Sequence, residues 1–378
     1  MFIPYGKQEI DHDDINAVVR ALKSDYLTSG PTVGEFEKAL ADITKASEAV
    51  VCSNGTTALH LALLALGVGP GDAVIVPTVT FLATANSVRY TGADVVFADV
   101  DPETGLMTPE HFQGAINRCG GRKLKVVMPV HLGGHICDLK AISKLAKEND
   151  CFVVADSCHA LGGIYSDEPV GAGVYEDMSV FSFHPVKTVA MGEGGAITTR
   201  HKDLANTMRK LRSHGMEKSD TNEPWAYDMR DLGYNYRVTD IQCALGLSQL
   251  SKLNQFIRRR ADLAERYNTR FKENKYIRLP QVSVNSQSGW HLYSIGIDFD
   301  LLGKTRSDVM AELKSKSIGT QVHYIPVHTQ PYYQKQYGDI VLPGAHKYYN
   351  QTLSIPLYPS LSDESFGIVV NAVNEVMS

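Results

Sequence analysis

The sequence predicts an α/β protein with a mostly parallel central sheet, followed by a smaller α+β unit. Short apolar runs, typical of buried strands, alternate with helical patterns through the first half of the chain. A capping box at 239–242 then opens a long helical pattern, and strand-like and helical segments follow it. The chain of 378 residues is longer than the chains that usually fold around a single hydrophobic core. We therefore expect a large unit at 1–250 and a small one at 251–378.

The first unit is predicted to hold seven strands, in chain order at 49–52, 73–76, 94–97, 125–130, 152–155, 179–183 and 196–199. Helical patterns at 57–66, 83–90 and 139–147 separate several of them, which favours a parallel sheet covered by helices on both faces. The segment 162–177 is rich in glycine and acidic residues and lacks a helical period, so it is predicted to be a loop.

The second unit is predicted to begin within one long helix. Apolar positions recur at helical spacing from residue 239 to about 271 without proline, and such a helix would reach about 45 Å. Strand-like segments at 291–299 and 320–324 follow, with helices at 307–316 and from about 363.

The composition excludes several classes of protein. Lys and Arg total 37 against 42 Asp and Glu, and the net charge of −5 gives no general attraction to nucleic acid. We find no signal-peptide core and no apolar stretch near the roughly 20 residues that span a bilayer. The six cysteines lack a C-x-x-C pair, which suits reduced thiols. We therefore expect a cytoplasmic protein without a nucleic-acid or membrane partner.

Two patterns point to no site of their own. His131-Leu-Gly-Gly-His135 has the spacing of metal ligands, but its glycines disfavour the helix that would align both rings, so no metal is expected. The basic run at 258–260 is interpreted as a solvated helix face, with a sugar-nucleotide diphosphate as its most functional partner.

The most informative segment delivers Lys187 from a strand, through Ser182-Phe-His-Pro-Val, into a turn with Gly192 and Gly194. Apolar neighbours remove water from an amine, which lowers its pKa and makes it nucleophilic towards carbonyl groups. An isolated loop lysine is more often a surface residue. The functional interpretation depends on a site for pyridoxal 5′-phosphate (PLP) elsewhere in the chain.

The other parts of a PLP site are present. Asp156 ends a predicted strand and could keep the pyridine nitrogen protonated, although it could equally cap a helix. His159 could reach the phenolic oxygen, or be an ordinary partly buried histidine. Phosphate ligands would be Gly55 and Thr56, at a helix start, together with the hydroxyl of Ser182. Phe81 could stack on the cofactor ring, or belong to the core.

These motifs together resemble the DegT/DnrJ/StrS sugar aminotransferases, PLP enzymes of fold type I. The resemblance rests on Tyr26-Leu-Thr-Ser-Gly-Pro31, Ser53-Asn-Gly-Thr-Thr-Ala-Leu59, Asp156-Ser-Cys-His-Ala-Leu-Gly162, Ser182-Phe-His-Pro-Val-Lys-Thr188, Gly233-Tyr-Asn-Tyr-Arg237 and Leu353-Ser-Ile-Pro-Leu-Tyr358. It implies that Lys187 binds the cofactor covalently and that Asp156 and His159 assist it. It also implies that Asn235 reaches the phosphate in a neighbouring subunit, in a homodimer with shared sites.

Within that family, Arg212-Ser-His-Gly215 and Val322-His-Tyr-Ile-Pro-Val-His328 most resemble the transaminases of pseudaminic acid synthesis that make UDP-4-amino-4,6-dideoxy-N-acetyl-altrosamine. The resemblance implies transfer of an amino group from glutamate to a UDP-linked 4-keto-6-deoxy sugar. His323, Tyr324 and His328 are the candidates for substrate binding. Alternatives are a 3-keto sugar aminotransferase, a perosamine-type synthase, or a catalytically silent regulator that binds PLP.

Overall fold

The computed structural model describes residues 2–221 and 223–378. Its α-helices are α1 (His12–Leu22), α2 (Pro31–Thr44), α3 (Gly55–Ala65), α4 (Leu82–Tyr90), α5 (Pro109–Asn117), α6 (Leu139–Glu148), α7 (Lys202–Arg212), α8 (Asp240–Ser251), α9 (Leu253–Phe271), α10 (Phe299–Leu302), α11 (Arg306–Ser315), α12 (Pro331–Tyr337), α13 (Pro343–Gln351) and α14 (Asp363–Val376). Its strands are β1 (Glu48–Cys52), β2 (Asp72–Pro77), β3 (Asp94–Ala98), β4 (Lys123–Val127), β5 (Phe152–Asp156), β6 (Ile164–Tyr165), β7 (Glu168–Pro169), β8 (Met178–Ser182), β9 (Gly195–Thr199), β10 (Met216–Lys218), β11 (Tyr227–Met229), β12 (Ile277–Arg278), β13 (Ser286–Gln287), β14 (Tyr293–Ile297) and β15 (Thr352–Ile355).

A seven-stranded sheet in the order β1-β9-β8-β5-β4-β2-β3 forms the centre of the large unit. Neighbouring strands pair in parallel along β8, β5, β4, β2 and β3, whereas β9 is antiparallel to both β1 and β8. The predicted α/β class with a mostly parallel sheet is therefore confirmed. Since six strands share one direction, the chain leaves β1, β2, β5 and β8 at the same edge of the sheet.

Burial explains why these segments are strands and helices. In β2 every residue after Asp72 is buried, as expected for a strand covered on both faces. Helix α6 buries one stripe, which includes Leu139, Ile142 and Ala146, against the sheet. The regular alternation of these two patterns in the sequence is what makes the fold predictable.

The structure corrects three predicted elements. The long helix is broken at Lys252, whose ψ of 0° separates α8 from α9. The ammonium group of Lys252 binds Asp14 of α1 and Asp11, which caps that helix. The predicted strand at 320–324 is a single bridge from Gln321 to Ser354. The predicted loop at 162–177 contains no helix, but β6 and β7 form a short hairpin in it.

The small unit is built on the three-stranded sheet β12-β14-β15, in which β14 pairs with β15 in antiparallel register. Helices α9, α11 and α14 supply most of the rest of its core. Helices α12 and α13 instead place Tyr333 and Tyr348 in the core of the large unit, although they lie beyond residue 251. The helices described include none that is both long and apolar enough to cross a lipid bilayer.

Candidate active site

A cavity of about 850 Å³ opens at the edge of the sheet where the parallel strands end. Nine of the predicted site residues line it, namely Gly55, Thr56, Phe81, Asp156, His159, Ser182, Lys187, His323 and Tyr324. Gly55 and Tyr324, the first and the last of these residues in the chain, are 269 positions apart. The topology brings them together because β1, β5 and β8 run in parallel and end at this edge.

The start of α3 is built to hold an anion. The side chain of Asn54 caps the helix by accepting the amide of Thr57, at 2.9 Å from N to Oδ1. Within the described part of the chain, the amides of Gly55 and Thr56 have no acceptor, and both residues line the cavity. A Cβ atom on Gly55 would lie 2.9 Å from the Cβ of Ser182, so glycine lets the Ser182 hydroxyl approach these amides. The arrangement fits a phosphate group.

Asp156 is the last residue of β5 and is only 6% exposed. Its Oδ2 accepts a hydrogen bond from Thr84 Oγ1 at 2.7 Å, and its Oδ1 accepts the amide of Cys158 at 3.2 Å. Because Thr84 gives its proton to the carboxylate, Thr80 must donate in the 2.8 Å bond between the two threonine hydroxyls. Both carboxylate oxygens are thus fixed, which suits an acid that must face one ring nitrogen.

Lys187 lies in the segment between β8 and β9, where its amide donates to the carbonyl of His184 at 2.8 Å. Burial lowers the pKa of the Lys187 ammonium, and the nearby Cys158 and Asp156 oppose that shift. It is the one lysine or arginine among the cavity-lining residues the structure describes. An amine with a lowered pKa beside a fixed carboxylate can attack a carbonyl group.

His159 has a defined tautomer. Its Nδ1 accepts the amide N–H of Gly133 at 3.1 Å, so the ring proton is on Nε2. Nε2 lies 3.2 Å from the hydroxyl oxygen of Tyr324 and donates to it. Burial lowers the pKa of His159 well below its usual value, and the ring is therefore neutral. The proton of the Tyr324 hydroxyl remains available to the cavity.

The small unit supplies the opposite wall. His323 is 5% exposed, its Nδ1 lies 2.8 Å from Ser354 Oγ, and burial lowers its pKa to about 3. Its ring also packs against Tyr5 at 5.4 Å between centroids. Phe81, in contrast, is 57% exposed, with its ring 6.0 Å from that of Tyr324. The exposed Phe81 ring leaves a flat surface on which a planar group can stack.

Two predicted residues lie outside this cavity. His328 is buried behind the wall, where its Nδ1 lies 2.6 Å from Thr78 Oγ1, so the structure gives it no route to a substrate. Asn235 is exposed and forms an isolated bridge with Ser213. Asn235 is not among the residues that line the cavity of its own chain, although the adjacent Tyr236 is.

Sequence reasoning missed three residues of the site. Thr84 binds Asp156, Tyr5 packs on His323, and the ring of His291 packs against that of His159 at 4.3 Å between centroids, with the ring planes tilted by 46°. The spacing of Thr80 and Thr84 by four residues hints at a shared face. For Tyr5 and His291 we find no sequence signal, because each reaches the site through long-range packing.

The fold and this cavity define a PLP-dependent enzyme of fold type I. The free amides at α3 fit the cofactor phosphate, Asp156 fits the pyridine nitrogen, and Lys187 fits the carbonyl carbon. A model of the DegT/DnrJ/EryC1/StrS aminotransferase family matches residues 8–374. The chain belongs to that family and is a PLP-dependent sugar aminotransferase.

Known proteins are similar to this chain over its full length. The spore coat polysaccharide biosynthesis protein SpsC of Bacillus subtilis is 40% identical, covering 100% of this chain and 97% of its own. The structure of Helicobacter pylori PseC, an aminotransferase involved in the biosynthesis of pseudoaminic acid, is 29% identical with a TM-score of 0.92, covering 100% and 99%. The PLP form of the putative sugar aminotransferase Spr1654 from Streptococcus pneumoniae is 30% identical with a TM-score of 0.91, covering 100% and 99%.

Proposed function

We propose that this enzyme moves the amino group of glutamate to the C4 keto carbon of a UDP-linked 4-keto-6-deoxy sugar. The observation that carries amino transfer is Lys187, an amine of lowered pKa in one cavity with Asp156. The sugar class is supported by the relatives, one named for spore coat polysaccharide and one for pseudoaminic acid. The product would serve the synthesis of a surface polysaccharide or a nonulosonate.

The chemistry requires one group that the protein itself lacks. Bound PLP supplies a carbonyl that takes up the amino group and a protonated ring that withdraws electrons from the reacting carbon. Lys187 would hold the cofactor through its side-chain amine, and the same amine would carry a proton to and from the reacting carbon atoms. The carboxylate of Asp156, fixed by Thr84 and by the amide of Cys158, keeps the ring nitrogen protonated.

His159 and Tyr324 form one chain of neutral hydrogen bonds, in which the Nε2–H of His159 donates to the Tyr324 hydroxyl and that hydroxyl keeps its proton for a ligand. Burial keeps His159 uncharged, and burial also raises the pKa of Tyr324, so its hydroxyl stays protonated. A neutral donor can form a hydrogen bond to a phenolic or sugar oxygen without forming an ion pair with it. We therefore assign His159 to the cofactor, and Tyr324 with His323 to the sugar.

A second copy of the chain completes the proposed site. Both glutamate and a nucleotide diphosphate are anionic, yet Lys187 is the one cationic lysine or arginine that the described residues place in the cavity. Asn235 is exposed outside the cavity of its own chain, where a neighbouring subunit's phosphate could meet it. We propose a homodimer with shared sites. Its free cysteines suit a reducing cytoplasm.

Two measurements test this function. First, glutamate alone should convert the PLP-loaded enzyme to the amine form of the cofactor, which a change in its absorbance spectrum reports. Second, mass spectrometry of reactions with glutamate and a panel of 4-keto and 3-keto nucleotide sugars should find an aminated product from a 4-keto, UDP-linked member. Lys187→Ala should abolish both signals, whereas Lys144→Ala, on the exposed face of α6, should change neither.

Each other outcome corresponds to an alternative. A product from a 3-keto sugar would make the enzyme a 3-keto aminotransferase. A product from a GDP-linked sugar would favour a perosamine-type synthase. Cofactor binding without any turnover would identify a silent regulator, and transamination by Lys187→Ala would refute the mechanism.

A further inference from the structure

Arg260 is a buried cation that the chemistry described above does not use. It lies in the basic run of α9 that the sequence assigns to a solvated face, yet it is only 2% exposed. Its Nη1 donates to three main-chain carbonyls, those of Trp290 at 3.2 Å, His291 at 3.2 Å and Leu357 at 3.0 Å. Burial lowers the pKa of Arg260 to about 10, so it remains charged at neutral pH. Burying a charge that contacts carbonyls instead of a carboxylate is costly, which draws attention to the backbone it holds.

Two of those carbonyls belong to one turn, residues 289–292. On its other side the turn is bonded to a second turn, because Gly289 N donates to Gly134 O at 3.0 Å and Leu292 N donates to Gly133 O at 3.1 Å. Trp290 has a φ of 43°, a left-handed conformation that bulky side chains disfavour. The turn therefore needs external hydrogen bonds to stay in this shape, and Arg260 supplies them on one side while Gly133 and Gly134 supply them on the other.

Both turns contact His159. The ring of His291 packs against the ring of His159 at 4.3 Å between centroids, with the two planes tilted by 46°. The amide of Gly133 donates to His159 Nδ1 at 3.1 Å, which places the ring proton on Nε2. Arg260 thus reaches the imidazole through two linked turns, one that supports the ring face and one that sets its tautomer.

We propose that Arg260 is a positioning residue of the active site, which acts through His291 and Gly133 to fix the orientation and the tautomer of His159. The importance of His159 to the cofactor rests on the proposed function. The contacts that hold the imidazole do not, because they lie entirely within this chain.

The first test reads the imidazole directly, in protein without cofactor. Nuclear magnetic resonance of ¹⁵N-histidine-labelled protein should show an unprotonated Nδ1 and a protonated Nε2 for His159, assigned with His159→Gln. Arg260→Met removes the donors at similar length, and we expect the His159 signals to shift towards a mixture of both tautomers. The matched control is Arg259→Met, on the same helix, whose guanidinium binds Asp262 and Asp363 at the surface. It should leave those signals unchanged.

The second test is the affinity for PLP, followed by absorbance in a titration. We expect Arg260→Met to raise the Kd about tenfold, the effect of losing one well-aligned hydrogen bond to a charged ligand, and Arg259→Met to leave it as in the wild type. If Arg260→Met lowers only the melting temperature, and neither the ring signals nor the affinity changes, Arg260 merely stabilises the fold and the proposal is wrong.

Two further outcomes keep the proposal testable. If Arg260→Met does not fold, Arg260→Lys retains a donor for the same carbonyls, and the proposal then requires a smaller shift of the same His159 signals. The wild-type spectrum is itself decisive, since a protonated Nδ1 on His159 would overturn the proposal. None of these measurements involves glutamate or a sugar, so failure of the proposed reaction would be seen separately.

Discussion

Gly55→Ala should damage the phosphate site while leaving the fold intact. The new Cβ would lie 2.9 Å from Ser182 Cβ, 3.2 Å from Ser182 Oγ and 3.5 Å from Cys158 Sγ. Non-bonded carbon atoms prefer 3.5–4.0 Å, so Ser182 must retreat by about 0.6 Å or more. Binding sites tolerate displacements of about 0.5 Å, and a lost hydrogen bond to a charged group costs about 1.5–3 kcal/mol. We expect the Kd for PLP to rise at least about tenfold.

The stability of the variant should change less than its affinity. Overpacking costs about 1–3 kcal/mol, whereas replacing a helical glycine by alanine returns about 0.5–1 kcal/mol, so the net loss is about 1 kcal/mol. The measurements are a PLP titration by absorbance and thermal unfolding of the cofactor-free protein.

The matched control is Gly34→Ala in α2, where a new Cβ meets no atom within 4 Å. It should raise the stability by about 0.5–1 kcal/mol and leave the Kd unchanged. In addition, Gly55→Ala should cost less affinity in a Ser182→Gly background, because the clashing atoms are gone. A Gly55→Ala protein that binds PLP as tightly as the wild type would refute the steric argument.

Three other predictions concern the surroundings of the site. Tyr324→Phe removes the acceptor of the His159 Nε2–H and should lower kcat/KM roughly tenfold at nearly unchanged melting temperature; an unaltered kcat/KM would contradict it. Burial lowers the pKa of His135 to about 4, so the unfolded chain binds its proton first, and stability should fall as the pH drops from about 6.5 to 4. In His135→Phe the free energy of unfolding, measured with urea, should decline less steeply with falling pH, by up to ~1.4 kcal/mol per pH unit. An unchanged slope would count against a neutral buried imidazole. Lys252→Met leaves the fully buried carboxylate of Asp14 without its cation, 2.8 Å away, and should cost about 3 kcal/mol in chemical unfolding; a loss below about 1 kcal/mol would show that the pair is not needed.

Local sequence patterns were enough to predict most of the large unit. Runs such as 73–76 are too apolar to face water on either side, and the helices between the strands favour parallel pairing. The same local signals located the site, since Asp156 and Ser182 end strands of one direction and Gly55 begins a helix. Each of these features depends on only a few neighbouring residues.

Elements that depend on distant partners were harder to predict. The segment 320–324 has a strand-like sequence, but it makes one bridge to Ser354, and β15 takes its place in the small sheet. The helical period runs on past residue 251, yet Lys252 leaves helical geometry where it binds Asp11 and Asp14. In both cases the residue has a partner in another part of the chain, which local propensity does not report.

The sequence by itself determined the α/β class, and it was enough to predict Lys187, Asp156 and Gly55 as residues of the cofactor site. The tertiary structure alone showed that His328 is buried outside the cavity lining, that Asn235 is exposed and does not line the cavity, and that Arg260 is buried. The physical reason is the range of the interactions. Helical and strand periods act over a few residues, whereas burial and hydrogen-bond polarity depend on partners a hundred or more positions away, as in the bond between His159 and Tyr324.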